Sequence, residues 1–183
     1  MLHVNFHPFP ELETRRLLLR KITLHDASEI FFLRSNEAVM KYIDRERAKS
    51  VKEAEDFIKK ITNNILSNDG IVWSIDLKEN PGKMIGTVCL WQFEKEHFRA
   101  ETGYVLHPDH WRKGYMKEVL EKVLDFGFDT LKLHSIEAHI APANIASATL
   151  LESTGFIREA YFKENFYFRG NFLDTAVYSK LKN

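Results

Sequence analysis

The hydrophobic period of this chain switches between helix and strand in an order that leaves few folds open. Val51, Ala54, Phe57, Ile58, Ile61 and Ile65 recur at helical spacing and form one apolar stripe. Ser50-x-x-Glu53 opens that helix as a capping box, and Asn68-Asp69-Gly70 closes it as a turn cluster. The period then drops to two. Ile71–Leu77 alternates, Asn80-Pro81-Gly82 reads as a hairpin turn, Met84–Phe93 as its return strand, and Arg99–Leu106 as a further strand stopped by Pro108. Strands joined this closely pair antiparallel. The helical pattern returns at Gly114, with Met116, Val119, Leu120, Val123 and Leu124 on one side, and Ile136, Ala138 and Ile140 then alternate with Ser135, Glu137 and His139. That strand–helix–strand step predicts a parallel pair with helices covering the sheet.

The two ends complete the pattern. Residues 16–22 read as a first strand, and Thr23 with Asp26 opens a helix through about Arg34 in the manner of a capping box with a shorter acid. Asn144–Ser153 reads as a short helix with Gly155 as its left-handed stop. Phe156–Phe168 and Phe172–Leu181 flank Arg169-Gly170-Asn171 as a closing hairpin. The predicted order is β-α-α-β-β-β-α-β-α-β-β, which is an α+β fold with a mixed, mostly antiparallel sheet flanked by helices. No linker, low-complexity tract or repeat interrupts it, so a single domain is expected over residues 1–183.

Charge and cysteine usage narrow the function classes. Lys and Arg total 26 and Asp and Glu total 26, so the formal net charge is zero, which argues against a whole-domain nucleic-acid or membrane-surface binder. The single cysteine, Cys89, excludes an internal disulfide framework and fits a reducing compartment. Its apolar strand neighbours point to a structural thiol rather than a nucleophile. No run approaches the ~18 apolar residues of a membrane span, and Met1–Glu11 lacks the apolar run of a signal peptide. The expectation is a soluble cytoplasmic protein. His107-x-x-His110 has too few partners for a zinc site, so no metal is expected.

The segment His107–Glu118 carries the most chemistry. A strand ends at Leu106, a loop with Arg112, Lys113 and Gly114 follows, and a helix begins. The first amides of a helix have no internal partner and sit at the positive end of its dipole, roughly +0.5 charge. Such a start can cradle a pyrophosphate, with Lys113 as a mobile cation and Gly114 allowing close backbone approach. On this segment alone, an ordinary strand–helix connection with solvated basic residues is the better reading.

The wider context decides between them. Glu101-Thr-Gly-Tyr-Val-Leu-His-Pro-Asp-His-Trp-Arg-Lys-Gly-Tyr115 resembles the coenzyme A segment of the GNAT superfamily of N-acetyltransferases. Asn144-x-x-Ser147, before a helix ending in Gly155-Phe156, resembles its second signature. Glu13-Thr-Arg-Arg-Leu-Leu-Leu-Arg20 and Gly170-x-x-x-Asp174-x-x-x-Tyr178 resemble its ribosomal-protein alanine acetyltransferase (RimJ/RimL-like) branch. The resemblance spans about residues 13–181. It implies acetyl-CoA as cosubstrate, held in a wedge between the strand ending near Leu106 and the strand ending near Ile140. Backbone groups of Tyr104, Val105 and Leu106 would bind the pantetheine. The phosphate loop would be Trp111, Arg112, Lys113, Gly114, Tyr115 and Met116. Trp111 stands in place of a polar opener, Met116 in place of a small residue, and Arg112 where this branch has glycine. The phosphate donors are amides, which these changes leave in place, but Arg112 is strained if its position takes a positive φ.

Acyl transfer from a thioester needs a neutral amine, a polarised carbonyl and a proton for the leaving thiolate. The resemblance implies that Asn144 holds the pantetheine arm, a role compatible with helix capping, and that Ser147 sits near the sulfur as an acid. Glu101, entering the strand that faces the acetyl group, is the preferred proton acceptor. In relatives a carboxylate in the strand after Gly-Phe can serve. Here Phe166 aligns with it, and Glu164, two residues earlier on the same strand face, is the substitute. The aromatic residues Tyr161, Phe162, Phe166, Tyr167 and Phe168 read either as acceptor-cleft lining or as hairpin core. The expected reaction is direct acetyl transfer to a primary amine. A protein N-terminal α-amine and a small-molecule amine both stay open as acceptors, and a CoA-binding regulatory module without turnover is the alternative from another class. The motifs are compatible with a homodimer and imply no nucleic-acid partner.

Overall fold

The computed structural model describes residues 1–182; residue 183, the last position of the expected domain, lies outside the described residues. Strands β1 (Leu12–Glu13), β2 (Leu17–Lys21), β3 (Gly70–Leu77), β4 (Asn80–Glu94), β5 (Arg99–Leu106), β6 (Ser135–Ile140), β7 (Ile157–Phe168) and β8 (Asn171–Leu181) form one sheet in the order β1-β2-β3-β4-β5-β6-β8-β7. Every neighbouring pair is antiparallel except β5–β6, which is parallel. This is the predicted mixed, mostly antiparallel α+β arrangement. The helices are α1 (Ala27–Ser35), α2 (Glu37–Met40), α3 (Val51–Leu66), α4 (Tyr115–Asp125) and α5 (Ile145–Ser153).

Alternation along the strands assigns each helix to a face. Trp73 meets Phe126, just after α4, at 5.5 Å in a T-shaped contact. Leu90 and Ile136 approach Gly127 in the same turn, so these strand residues face α4. Val119, Leu120, Val123 and Leu124 of α4 are buried against that face. Residues of opposite parity, among them Arg20 and Asp76, face the start of α1, where Arg20 reaches both Asp26 and Asp76. The apolar stripe of α3 buries Ala54, Ile58, Ile61 and Ile65, each large aliphatic contributing ~1.5–3 kcal/mol by leaving water.

Several local expectations are corrected. Leu77 pairs with Asn80, so the β3–β4 turn is Lys78-Glu79, and Asn80-Pro81-Gly82 belongs to β4. The residues between Asn80 and Met84 form a bulge, with Gly82 at φ +85° donating its amide to Asp76 Oδ2 at 2.7 Å. Phe168 pairs with Asn171, so the closing turn is Arg169-Gly170, both at positive φ as a type I′ turn requires. The short helix α2, capped by Asn36 Oδ1, and the π-helical turn Phe126–Thr130 had no sequence expectation. The aromatic residues of β7 do not form a hairpin core. Tyr161, Phe162, Phe166 and Tyr167 are all exposed, because β7 is an edge strand with no layer packed over it.

Candidate active site

The parallel pair β5–β6 is short. Arg99, Ala100 and Glu101 lie opposite Ser135, Ile136 and Glu137, and the pairing stops there. Beyond it β5 stays with β4 as far as Leu106, while β6 stays with β8 as far as Ile140. The two strands part, leaving a cleft in the middle of the sheet between Thr102–Leu106 and Ala138–Ile140. Tyr104, Val105 and Leu106 form one of its walls.

The loop after β5 sits at the mouth of this cleft. A turn of 3-10 helix, Pro108–His110, leads to Trp111, whose indole donates to the Leu106 carbonyl at 2.7 Å and fixes the loop to the strand end. Arg112 has φ +59°, so the position is left-handed and the arginine carries the strain anticipated from the sequence. Gly114, at φ +75°, caps α4. Lys113 and Gly114 are exposed, while Tyr115 and Met116 pack against the core, which turns the bulky Met116 towards the protein interior. The arrangement presents a helix start, strained backbone and two basic residues together, a combination whose chemistry suits an anionic group. Arg16, Thr14 and Glu118, absent from the sequence-derived site, brace this loop from below. The signal for Thr14 and Arg16 lay in the Glu13-Thr-Arg-Arg segment, whose contacts with Glu118 span about a hundred residues of sequence and have no local period.

Across the cleft, Asn144 Oδ1 caps α5 by accepting the Ser147 amide at 3.1 Å. Ser147 is buried, and its Oγ lies 2.7 Å from the Tyr104 hydroxyl. Burial pushes the Tyr104 phenol up to about 12, against the opposing pull of that hydrogen bond. The sequence predicted only backbone roles for Tyr104; its side chain is the addition.

Glu101 lies three residues from Tyr104 and therefore on the opposite face of β5, directly across from Trp91 of β4 and Glu137 of β6. Burial raises the Glu101 carboxyl above its ordinary value and neighbouring Glu137 adds to this. His139, a hydrogen bond from Trp91, and Arg45 oppose it. Glu164 does not share this setting. The register shifts between Phe162 and Phe166, so the two-residue spacing no longer preserves strand face. Glu164 has φ +51°, donates its amide to Asp174 Oδ1 at 2.8 Å, and is exposed. Cys89 donates to the Gly103 carbonyl at 3.3 Å, and burial pushes its thiol up to about 12, so no thiolate nucleophile stands here. Among the described residues no three His, Cys, Asp or Glu side chains are grouped to hold a metal ion, and no helix is long and apolar enough to cross a membrane.

Comparison with known proteins matches this geometry to a family. Residues 16–157 match the acetyltransferase (GNAT) domain family. The chain is 38% identical over 174 residues to the uncharacterized N-acetyltransferase YoaA of Bacillus subtilis, covering 95% of this chain and 98% of that one. Among solved structures it is similar to a putative ribosomal-protein-serine acetyltransferase from Vibrio cholerae, with TM-score 0.82, 26% identity and coverage of 96% and 99%. It is also similar to the Vibrio cholerae spermidine N-acetyltransferase in complex with CoA and spermine, with TM-score 0.79, 28% identity and coverage of 90% and 95%. The parted strands, the basic loop at the helix start and these matches agree, and the chain belongs to the GNAT family of N-acetyltransferases.

Proposed function

We propose that this enzyme transfers the acetyl group of acetyl-CoA directly to a primary amine, with the α-amine of a protein N-terminus as acceptor. The observation that carries this reading is the parting of β5 and β6, with Glu101 at the last paired position on one face of the sheet and the Ser147–Tyr104 pair on the other. An acyl group lying in that opening is reachable from both faces at once. Tyr104, Val105 and Leu106 offer backbone groups to the pantetheine, Asn144 steadies the arm, and the Trp111–Met116 loop receives the diphosphate on its amides and basic side chains.

On this reading Glu101, ionised, accepts a proton from the attacking amine as the nitrogen bonds to the carbonyl carbon. The carbon–sulfur bond then breaks, and Ser147 passes a proton to the departing sulfur while its oxygen takes one back from solvent water, so no alkoxide is left. Glu101 returns the amine's proton to solvent before the next turnover. Both groups are held by the fold before substrate arrives, which removes reorganisation from the chemical step. The likeness to a putative ribosomal-protein-serine acetyltransferase supports the N-terminal acceptor. The likeness to an enzyme solved with CoA and spermine supports a second reading, a small-molecule polyamine.

Release of free CoA thiol from acetyl-CoA, measured against peptides with free N-termini, polyamines and amino acids, tests both. Preference for the peptides is expected. Preference for polyamines selects the second reading, and no thiol release with any amine overturns both.

A further inference from the structure

Arg16, at the entrance to β2, makes a set of contacts that local structure does not require. Its Nη1 donates to the carbonyl of Lys113 at 3.0 Å, and its Nε donates to Glu118 Oε2 at 2.8 Å. The guanidinium also stacks on the Tyr115 ring, 4.4 Å from its centroid. Glu118 Oε1 in turn accepts the Thr14 hydroxyl at 2.5 Å and the Arg16 backbone amide at 2.8 Å. Burial alone would raise the Glu118 carboxyl, but these donors hold it below its ordinary range. One guanidinium thus grips the last loop residue before the helix cap, the first helical residue and the first-turn carboxylate of α4. The remaining Nη2 stands 3.5 Å from where a Cβ on Gly114 would lie.

The loop it grips needs such a grip. Arg112 and Gly114 both hold positive φ, and for arginine this is an uncommon, strained conformation. Strained backbone persists only where surrounding contacts over-determine it. Trp111 fixes the loop to β5 on one side, and Arg16 fixes it to β2 on the other.

We infer that Arg16 is a positioning residue for the coenzyme's diphosphate: tied to Glu118, it holds the Lys113 carbonyl so that the amides beginning α4 keep their anion-binding arrangement. This rests on the reading that the loop receives the diphosphate. A lysine cannot reproduce the function, because a point charge cannot bond Glu118 and the Lys113 carbonyl from one rigid plane while stacking on Tyr115.

Steady-state kinetics with acetyl-CoA and with S-acetylpantetheine, which lacks the diphosphate, tests it. Wild-type enzyme is expected to prefer acetyl-CoA strongly. Arg16→Lys and Arg16→Gln are each expected to raise the KM for acetyl-CoA about tenfold with little change in kcat, shrinking that preference by a similar factor. Glu118→Gln, which frees Arg16 without removing it, is expected to act in the same direction and covers the case of an unstable Arg16 variant. An Arg16→Lys enzyme with wild-type KM, or a loss equal for both donors, overturns the inference while leaving the loop's role intact. A wild-type enzyme indifferent to the diphosphate removes the loop's role, and Arg16's with it.

Discussion

At the scale of single residues, the proposed mechanism divides the proton traffic between two hydroxyls and one carboxylate. Burial pushes the Tyr104 phenol up to about 12, so it stays protonated at working pH. Like the Ser147 hydroxyl, it is a weaker acid than a thiol with its ordinary pKa of about 8.5. Either hydroxyl can pass on a proton to the sulfur only by taking one back. The effect of Tyr104 is to occupy one side of Ser147 Oγ and orient the hydroxyl. Ser147→Ala is expected to lower kcat by about 10²-fold and Tyr104→Phe by about tenfold. The double variant should be no slower than Ser147→Ala alone, since the two act through one hydroxyl; additive losses in the kcat cycle would separate them. On the same proposal Glu101 sets the pH dependence. Burial raises its folded-state pKa, so the ionised base is lost as pH falls through a value above the ordinary carboxylate. The acid limb of kcat/KM is therefore expected above the usual ~4.3 of a glutamate, and Glu101→Gln should remove that limb and slow turnover by about 10²-fold. A pH profile identical in the variant would exclude Glu101 as the base.

At the scale of elements, β2, β3 and the start of α1 are joined by a network that stabilises the sheet. Arg20 donates to Asp76 at 2.7 Å and makes a two-pronged pair with Asp26 at 2.7 and 2.9 Å. Asp76, wholly buried, also accepts from Ser74 and from the Gly82 amide in the β4 bulge. Arg20→Leu strands two buried carboxylates and is expected to cost about 3–5 kcal/mol in urea unfolding. The sign with pH follows from Asp26. Burial alone would raise its pKa, but Arg20 and the Thr23 amide hold it below the ordinary value. That stabilisation is complete above the unfolded-state value of ~3.9 and disappears as pH falls through the lower folded value, so wild type should lose more stability than Arg20→Leu on acidification below about pH 4. The closing hairpin shows a weaker device of the same kind. Arg169, in the β7–β8 turn, pairs with Glu46 through Nε and Nη2 at 2.9 and 2.5 Å, but the pair is exposed and screened by solvent, so it adds little to stability.

At the scale of the whole molecule, zero net charge coexists with a local basic loop at Arg112 and Lys113, which suits a phosphorylated small molecule better than a polymer. The sequence by itself determined the alternation of helices and strands, the antiparallel run from β3 to β5, the parallel step to β6 and the location of the loop. Each is written in local period or turn chemistry, and the boundaries that moved lie at turns where one side-chain contact, such as Asp76 to Gly82, shifts the register. The position of Glu101 was also legible, though its burial was not. Glu164 misled because a bulge breaks the period-two rule on which its face was inferred. Tertiary structure alone decided where β5 and β6 separate, because that point depends on β5 following β4 while β6 follows β8. It decided that Tyr104 meets Ser147 across 43 positions of sequence and that Arg16 meets Lys113 across 97. Local propensity describes what each segment does with its own backbone. Contacts between segments this distant are fixed only when the core closes and excludes every other partner.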